Sequence, residues 1–332
     1  MRILVTGCAG FVGFHVAKKF IQKKYQVIGI DSLNSYYDKN LKKKRLGILK
    51  KSKNKFIFYK INLKNKFSVE KIFKKYYFDR VVHLAAQPGV RYSIINPYSY
   101  INNNIVAFNN ILHLSKNYKI KHFIYASSSS VYGANKKIPF SEKDSTDHPL
   151  QLYAATKKAN ELMAYSYSSL YKIPTTGIRF FTVYGPWGRP DMALFLFTKN
   201  ILRKKPINLF NYGKHIRDFT YIDDAVDGVI KITNKIPKKL KENNHNDDFV
   251  PHRIVNIGSS KKIKLINYIN AIELALKIKA IKNLLPKQKG DMSTTFSDTS
   301  LISKLVNYKS KTKINDGVKK FTKWFIEYYK HK

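Results

Sequence analysis

Apolar and polar positions follow two rhythms along the first half of the chain. Six short apolar runs, Arg2–Thr6, Tyr25–Ile30, Phe56–Ile61, Arg80–Leu84, His122–Ala126 and Thr175–Arg179, have the length and β-branched content of buried strands. Between them apolar residues recur at three- and four-residue spacing. Val12, Val16 and Phe20 do so, as do residues within 67–76, then Ile101, Ile105, Phe108 and Leu112, then Ala155, Ala159, Leu162 and Ser166 on one face of a helix over 151–171. Asn96-Pro97 is a helix start, a cap followed by a first-turn proline, for a helix over 97–115. Strands alternating with helices imply a parallel sheet covered on both faces. The expected fold is α/β, a Rossmann-type doubly wound parallel sheet, with ligands beyond the strand carboxyl ends.

From about residue 180 the rhythm breaks. Gly185-Pro186-Trp187-Gly188-Arg189-Pro190 reads as a loop. A helix, short strands and a polar stretch from Glu242 to His252 follow, and the chain from Phe296 onward reads as largely helical. The expected division is a dinucleotide-binding domain over 1–179 and a smaller α/β substrate lobe over 180–332, with some chain crossing back. There is no internal repeat.

Composition narrows the class. The 332 residues are 44% hydrophobic, enough for a large core. No apolar run reaches membrane-spanning length, and Arg2–Thr6 meets a glycine turn too early for a secretory signal. The single cysteine, Cys8, excludes an intramolecular disulfide and a cysteine-only metal site. A cytoplasmic enzyme without membrane or metal is expected. The 62 Lys+Arg against 21 Asp+Glu give a net charge of +41, which raises a nucleic-acid or membrane-surface role. The lysines are spread over the whole chain, however, as in Lys42-Lys43-Lys44-Arg45, Lys74-Lys75 and Lys319-Lys320, and are not gathered with aromatics into one element. Solvated faces, and a field that draws in an anionic substrate, are expected rather than specific nucleic-acid binding.

Candidate chemistry lies at the strand ends. Gly7, Gly10 and Gly13 stand between the first strand and its helix, the context that a dinucleotide fingerprint needs. Gly7 allows the turn, Gly10 lets the backbone approach a pyrophosphate, and Gly13 lets helix pack on strand. The intervening Phe11 and Val12 open the helix whose N-terminus faces the phosphates. Asp31 ends the second strand, where an acid hydrogen-bonds both ribose hydroxyls and repels a 2′-phosphate, so NAD is expected over NADP. Leu84 ends the fourth strand, and Ala85-Ala86-Gln87 follow it, where small residues let backbone lie against a cofactor.

Tyr153 and Lys157 lie four apart on one helix face. A free tyrosine ionises near pH about 10, and a neighbouring ammonium lowers that value. The pair is able to take a proton from a sugar hydroxyl. The spacing alone also arises by chance; the glycine turn and the serine run Ser127–Ser130 give it meaning.

Glycine trio, second-strand acid, serine run and Tyr-x-x-x-Lys, in this order and spacing, resemble the extended short-chain dehydrogenase/reductase family from residue 1 to about residue 325. Within it the chain looks most like the UDP-glucuronate 4-epimerases, on Leu84–Ser93, Ala126–Gly133, Leu152–Glu161, Gly185–Ala193 and Arg217–Asp224. The resemblance implies NAD-dependent inversion at C4 through a transient 4-keto sugar, and a homodimer. It implies Tyr153 as base, Lys157 on the nicotinamide ribose and lowering the tyrosine pKa, and Ser128 on the sugar 4-hydroxyl. Ser129, Ser130, Thr182 and Arg189 would surround the uronate carboxylate, Arg217 would meet the diphosphate, and Asp291 the uridine ribose. Asn62 stands where the family usually places an aspartate against adenine; its carbonyl oxygen accepts the same bond. Cys8, Pro88 and Ala107 also depart from the family pattern. Arg91 is open between approaching the sugar and pairing at the surface.

Two other readings stay open at this point. A 4-epimerase of a neutral or N-acetylated UDP-hexose is the near rival, and it has no use for an arginine facing C6. An NAD-bound, noncatalytic nucleic-acid-binding protein is the remote one, and it needs none of Ser128, Tyr153 and Lys157. Related dehydratases and decarboxylases carry an acid in the run before Val131-Tyr132-Gly133, where this chain has serines.

Overall fold

Seven parallel strands carry the molecule. In this computed structural model, which describes residues 1–238, 249–288 and 290–329, they are β1 (Arg2–Thr6), β2 (Gln26–Asp31), β3 (Phe56–Lys60), β4 (Arg80–His83), β5 (His122–Ser128), β6 (Thr175–Phe180) and, after four shorter strands, β11 (His252–Ile257). Their order is β11-β6-β5-β4-β1-β2-β3. The order reverses between β1 and β4, so their carboxyl ends diverge into a crevice, the ligand position of doubly wound sheets.

The helices fill both faces. They are α1 (Phe11–Gln22), α2 (Lys39–Lys50), α3 (Lys66–Lys75), α4 (Tyr92–Ile95), α5 (Pro97–Tyr100), α6 (Ala107–Asn117) and α7 (Leu152–Tyr171). One core packs Leu4, Ile28, Val81 and Phe123 of the sheet against Val69, Phe108, Ile111 and Ala164 of α3, α6 and α7. On the opposite face Ile3, Val27, Val82 and Ile124 pack against Phe14, Val16 and Phe20 of α1. Each such side chain, fully buried, contributes about 1.5–3 kcal/mol.

That second core runs without a break into the rest of the chain, through Phe195, Phe219, Tyr268 and Phe321. The elements there are β7 (Thr182–Tyr184), α8 (Ala193–Leu202), β8 (Ile207–Phe210), β9 (Ile216–Arg217), β10 (Phe219–Tyr221), α9 (Ile222–Asn234), β12 (Ile263–Lys264), α10 (Leu265–Leu276), β13 (Lys282–Leu285), α11 (Ser300–Val306) and α12 (Ile314–Tyr329). Their strands pair two by two, β10 with β7, β12 with β9 and β13 with β8. Such short ladders need other support. Buried Asp218 supplies it, accepting from Ser259 N at 2.6 Å, Ser260 N at 3.1 Å and Ser297 N at 3.2 Å. The chain crosses back twice: β11 extends the large sheet beside β6, and α9 packs on α1. The polar stretch that begins at Glu242 lies outside the described residues up to 248, and His252 already belongs to β11.

Two expectations need correction, and one open face is settled. Lys42–Arg45 is only half solvated: Lys43 and Lys44 are exposed, Lys42 and Arg45 are not. It is part of α2, which Asp38 caps through Asn40 N at 2.8 Å, and both Lys42 and Arg45 are buried with Leu41, Leu46 and Leu49. The helix over 97–115 is three pieces, because Ile101–Val106 forms a π turn between α5 and α6. Its extra residue rotates the face, so Ile101 is exposed while Phe108 and Leu112 are buried. On α7 the buried face is Ala154, Lys157, Glu161, Ala164 and Ser168, and Leu162 of the predicted stripe is 59% exposed. That stripe therefore faces away from the sheet.

Candidate active site

A cavity of about 390 Å³ opens at the crevice. Its walls come from the loops after β1 to β6: Gly7, Gly10, Phe11, Val12 and Gly13, then Asp31, then Asn62, then Leu84, Ala85 and Ala86, then Ser128, Ser129 and Ser130, with Tyr153, Lys157, Thr182 and Arg189 closing it. Arg91, Arg217 and Asp291 are not among its lining residues.

The glycines are required by contact. Gly7 has φ +71°, and a Cβ there would lie 2.7 Å from Ala85 N. A Cβ on Gly13 would lie 2.1 Å from Gly7 O. The turn therefore packs too tightly for side chains at Gly7 and Gly13; these glycines and Gly10 line the cavity with backbone, and α1 starts from the turn with no acid in its first turn. Asp31 accepts from Ala9 N at 3.1 Å and Leu33 N at 2.8 Å, which fixes its carboxylate at the cavity wall. Asn62 lines the wall too, but its Oδ1 accepts from Lys64 N at 3.1 Å, so that oxygen is shared with its own turn. Buried Lys42 donates to Asn34 O at 2.8 Å and Oδ1 at 2.6 Å, and burial lowers its pKa to about 8. A bare backbone cradle, a helix N-terminus and an acid at the second strand end fit a dinucleotide.

Tyr153 and Lys157 project from the first turns of α7. Lys157 is buried, donates to Ala126 O at 2.9 Å, and is lowered to about 8 by burial, with the Glu161 charge opposing. Burial raises the Tyr153 phenol; a hydrogen bond with Ser128 and the Arg189 charge pull it back. The groups that favour the phenolate in this structure are therefore Ser128 and Arg189, where Lys157 was expected. Ser128 Oγ is oriented by Ser130, accepting from its amide at 3.2 Å and donating to its Oγ at 3.2 Å. Beneath lies a buried ion pair. Arg179 on β6 binds both oxygens of Glu161 on α7 at 2.9 and 2.8 Å, and Ser127 donates to Glu161 at 2.6 Å. Asn104 in the π turn ties α7 to the cofactor wall: its Oδ1 accepts from Gln87 N at 2.7 Å, its Nδ2 donates to Thr156 Oγ1 at 3.1 Å, and its carbonyl accepts from Asn160 at 2.6 Å.

Arg189 is partly buried, and its fork is engaged by Asp191, Nε to Oδ1 at 3.0 Å and Nη2 to Oδ2 at 2.9 Å. Tyr36 donates to the same carboxylate at 3.2 Å. The three remaining predicted residues gather elsewhere. Arg91 pairs with Asp291 at 3.4 Å and lies 4.6 Å over the Phe210 ring, and Arg217 donates to Ser293 O at 3.1 Å. Burial, with Arg91 adding to it, lowers Arg217 to about 10. Of the two readings left open for Arg91, the structure shows the surface pairing: its side chain is exposed and pairs with a residue 200 positions away in sequence.

Sequence reasoning missed Glu161, Arg179, Asn104, Asp191 and Arg45. Glu161 had a signal, the same four-residue step beyond Lys157 that links Lys157 to Tyr153. Arg179 was a lone charge ending a buried strand. Arg45 had none, being hidden among lysines. No cluster of three or more His, Cys, Asp or Glu able to hold a metal, and no helix long and apolar enough to cross a membrane, occurs among the described residues.

A model of the NAD-dependent epimerase/dehydratase family matches residues 3–258. A probable UDP-glucuronate 4-epimerase of Rhizobium meliloti is 43% identical over 99% of this chain and 98% of its own length. UDP-glucuronate 4-epimerase 4 of Arabidopsis thaliana is 44% identical over 99% of this chain and 76% of its own length. The crystal structure of UDP-glucuronic acid 4-epimerase from Bacillus cereus, in complex with UDP-glucuronic acid and NAD, superposes with a TM-score of 0.89 at 33% identity, covering 99% of this chain and 100% of that one.

Proposed function

This chain belongs to the NAD-dependent epimerase/dehydratase family, and we propose that it interconverts UDP-glucuronate and UDP-galacturonate by inverting C4. The observation that carries the reading is one cavity holding Tyr153, Ser128 and Arg189 together. Bound NAD supplies a two-electron acceptor that takes the C4 hydrogen and returns it to the opposite face. Gly7, Gly10 and Gly13 admit its pyrophosphate, Asp31 takes its adenosine ribose, and Lys157 its nicotinamide ribose. Tyr153 removes the proton of the 4-hydroxyl, with Ser128 bonded to the same oxygen, and gives it back after the sugar turns over.

The 4-keto uronate is a β-keto acid and is prone to lose CO₂. Ser129, Ser130, Thr182 and Arg189 hold the carboxylate so that its bond to the ring stays out of line with the ketone π system. Ser128–Ser130 present no carboxylate to assist loss of the C5 proton. Asp191 already shows that the Arg189 fork accepts a carboxylate in bidentate fashion; the substrate shares or displaces it. The cluster of Arg91, Arg217 and Asp291 takes the diphosphate and uridine.

The proposal includes a cytoplasmic homodimer without a specific nucleic-acid partner. Exposed Ile94, Ile95, Tyr98, Leu162, Tyr165 and Leu170 supply the apolar face, and sedimentation that gives a monomer at micromolar concentration removes that part. Proton NMR of UDP-glucuronate with the purified protein tests the activity. UDP-galacturonate signals are expected without added NAD. Turnover of UDP-glucose alone would replace the uronate reading with the neutral-hexose one.

A further inference from the structure

Arg45 is fully buried on α2, yet its four hydrogen bonds all go to neutral oxygens. Nη1 donates to Ala9 O at 2.8 Å and to the Tyr37 hydroxyl at 2.7 Å. Nη2 donates to Trp187 O at 2.5 Å and to Gly188 O at 3.3 Å. Its Nε is buried without a partner. A buried guanidinium with no carboxylate is costly to keep for stability alone.

The two loops it joins are the two that matter to the cavity. The Ala9 carbonyl belongs to the peptide leading into Gly10, and the Gly188 carbonyl to the peptide leading into Arg189. The second loop is held at consecutive points just before that arginine. His15 of α1 meets Pro186 O at 3.0 Å, and the Trp187 ring lies 5.2 Å from Trp324 and 5.8 Å from Phe14. Trp187 has φ +63°, a left-handed conformation that a bulky side chain keeps only when its surroundings impose it.

We propose that Arg45 is a positioning residue for Arg189. One guanidinium clamps the glycine loop to the 185–190 loop, and so sets where the carboxylate-binding fork stands relative to the cofactor and hence to C4. This rests on the uronate reading above. It makes selectivity for a carboxylate at C6 depend on a residue that does not line the cavity.

The test is a double-mutant cycle on the NAD-loaded enzyme, with UDP-glucuronate and UDP-glucose binding measured in parallel. Arg45→Met is expected to raise KM for UDP-glucuronate about tenfold, with a smaller loss in kcat, since a displaced arginine loses its bond geometry to the carboxylate. UDP-glucose affinity and bound NAD stay as in wild type. Arg45→Met combined with Arg189→Ala is expected to be no worse than Arg189→Ala alone. Additive losses, or equal losses for both sugars, overturn the proposal. Should Arg45→Met fail to fold, Arg45→Lys keeps the charge but cannot reach both loops, and the same selective loss is expected of it; wild-type selectivity in Arg45→Lys overturns the proposal. Wild-type protein that binds both sugars equally defeats the uronate reading instead. The positional claim is then decided by Trp187 emission in a Trp324→Phe background, where a shift on Arg45→Met supports it and an unchanged spectrum overturns it.

Discussion

The glycine loop at residues 7–13 and the arginine loop at 185–191 face each other across one cavity, and they differ in how much of each is held from afar. The first rests largely on its own backbone, with Gly10 N donating to Gly7 O at 2.9 Å and Phe14 N to Gly10 O at 3.0 Å, and the side chains of Asp31 and Arg45 reaching it at Ala9 alone. The second has a turn of its own, Gly188 N to Gly185 O at 3.1 Å, but three consecutive carbonyls are held by His15 and Arg45, which are more than 140 residues away in sequence. A local device leaves a local signature, whereas a distant one leaves single residues that mean nothing until the chain has folded. The contrast extends to the scaffold. The half with regular strands rests on apolar faces, and the irregular half adds polar anchors such as Asp218 to the apolar core it shares.

The largest expected effect falls on the seam between the two regions. Tyr153→Phe should lower kcat by about 10³-fold while leaving bound NAD in place, as loss of a general base does; turnover at a wild-type rate would end the acid–base account. Asp218→Ala should next cost about 3 kcal/mol in urea unfolding, since several buried donors lose their acceptor. A near-neutral result would mean that the irregular half rests on packing after all. Gly13→Ala should cost about 2 kcal/mol, because its methyl meets backbone at 2.1 Å, and should release NAD from the purified protein. Retained cofactor would show that α1 moves aside freely.

Counted per histidine and per pH unit, the smallest effect is a pH dependence within the regular half. His83 and His122 are buried in the sheet, and burial lowers each to about 3. The unfolded chain, with histidines near about 6.5, therefore binds more protons below that pH. Stability is full above pH ~6.5 and falls as pH drops toward ~3, by about 1.4 kcal/mol per pH unit for each histidine. Denaturant midpoints that stay constant from pH 7 to 5 in wild type would contradict the burial of both rings.

The first six strands of the sheet, the glycine turn, Asp31 and the Tyr153–Lys157 pair were legible because each follows from neighbours in sequence. Hydrophobic spacing showed the strands directly, and strand ends then gave the cavity. What stayed hidden depends on tertiary partners. Helix α2 escaped notice because Lys42 and Arg45 carry charge yet turn inward with three leucines. The α7 stripe was assigned no buried face because alanine and serine are small enough for either side, while Lys157 and Glu161, polar by type, are the residues against the sheet. Burial raises the Tyr153 phenol and Lys157 does not offset it here, because spacing places Lys157 near Tyr153 but says nothing of where its amine points, which is to Ala126 O.

The π turn at Ile101–Val106 makes the register of this enzyme a matter of counting. Its surplus residue leaves the Asn104 carbonyl to receive Asn160 while the Asn104 side chain reads Gln87 and Thr156. Deleting any one residue there would swing α6 through about 100° and draw it back about 1.5 Å. Length variation should thus be barred from this exposed helical stretch and tolerated in the turns on either side, the reverse of what surface position alone would allow.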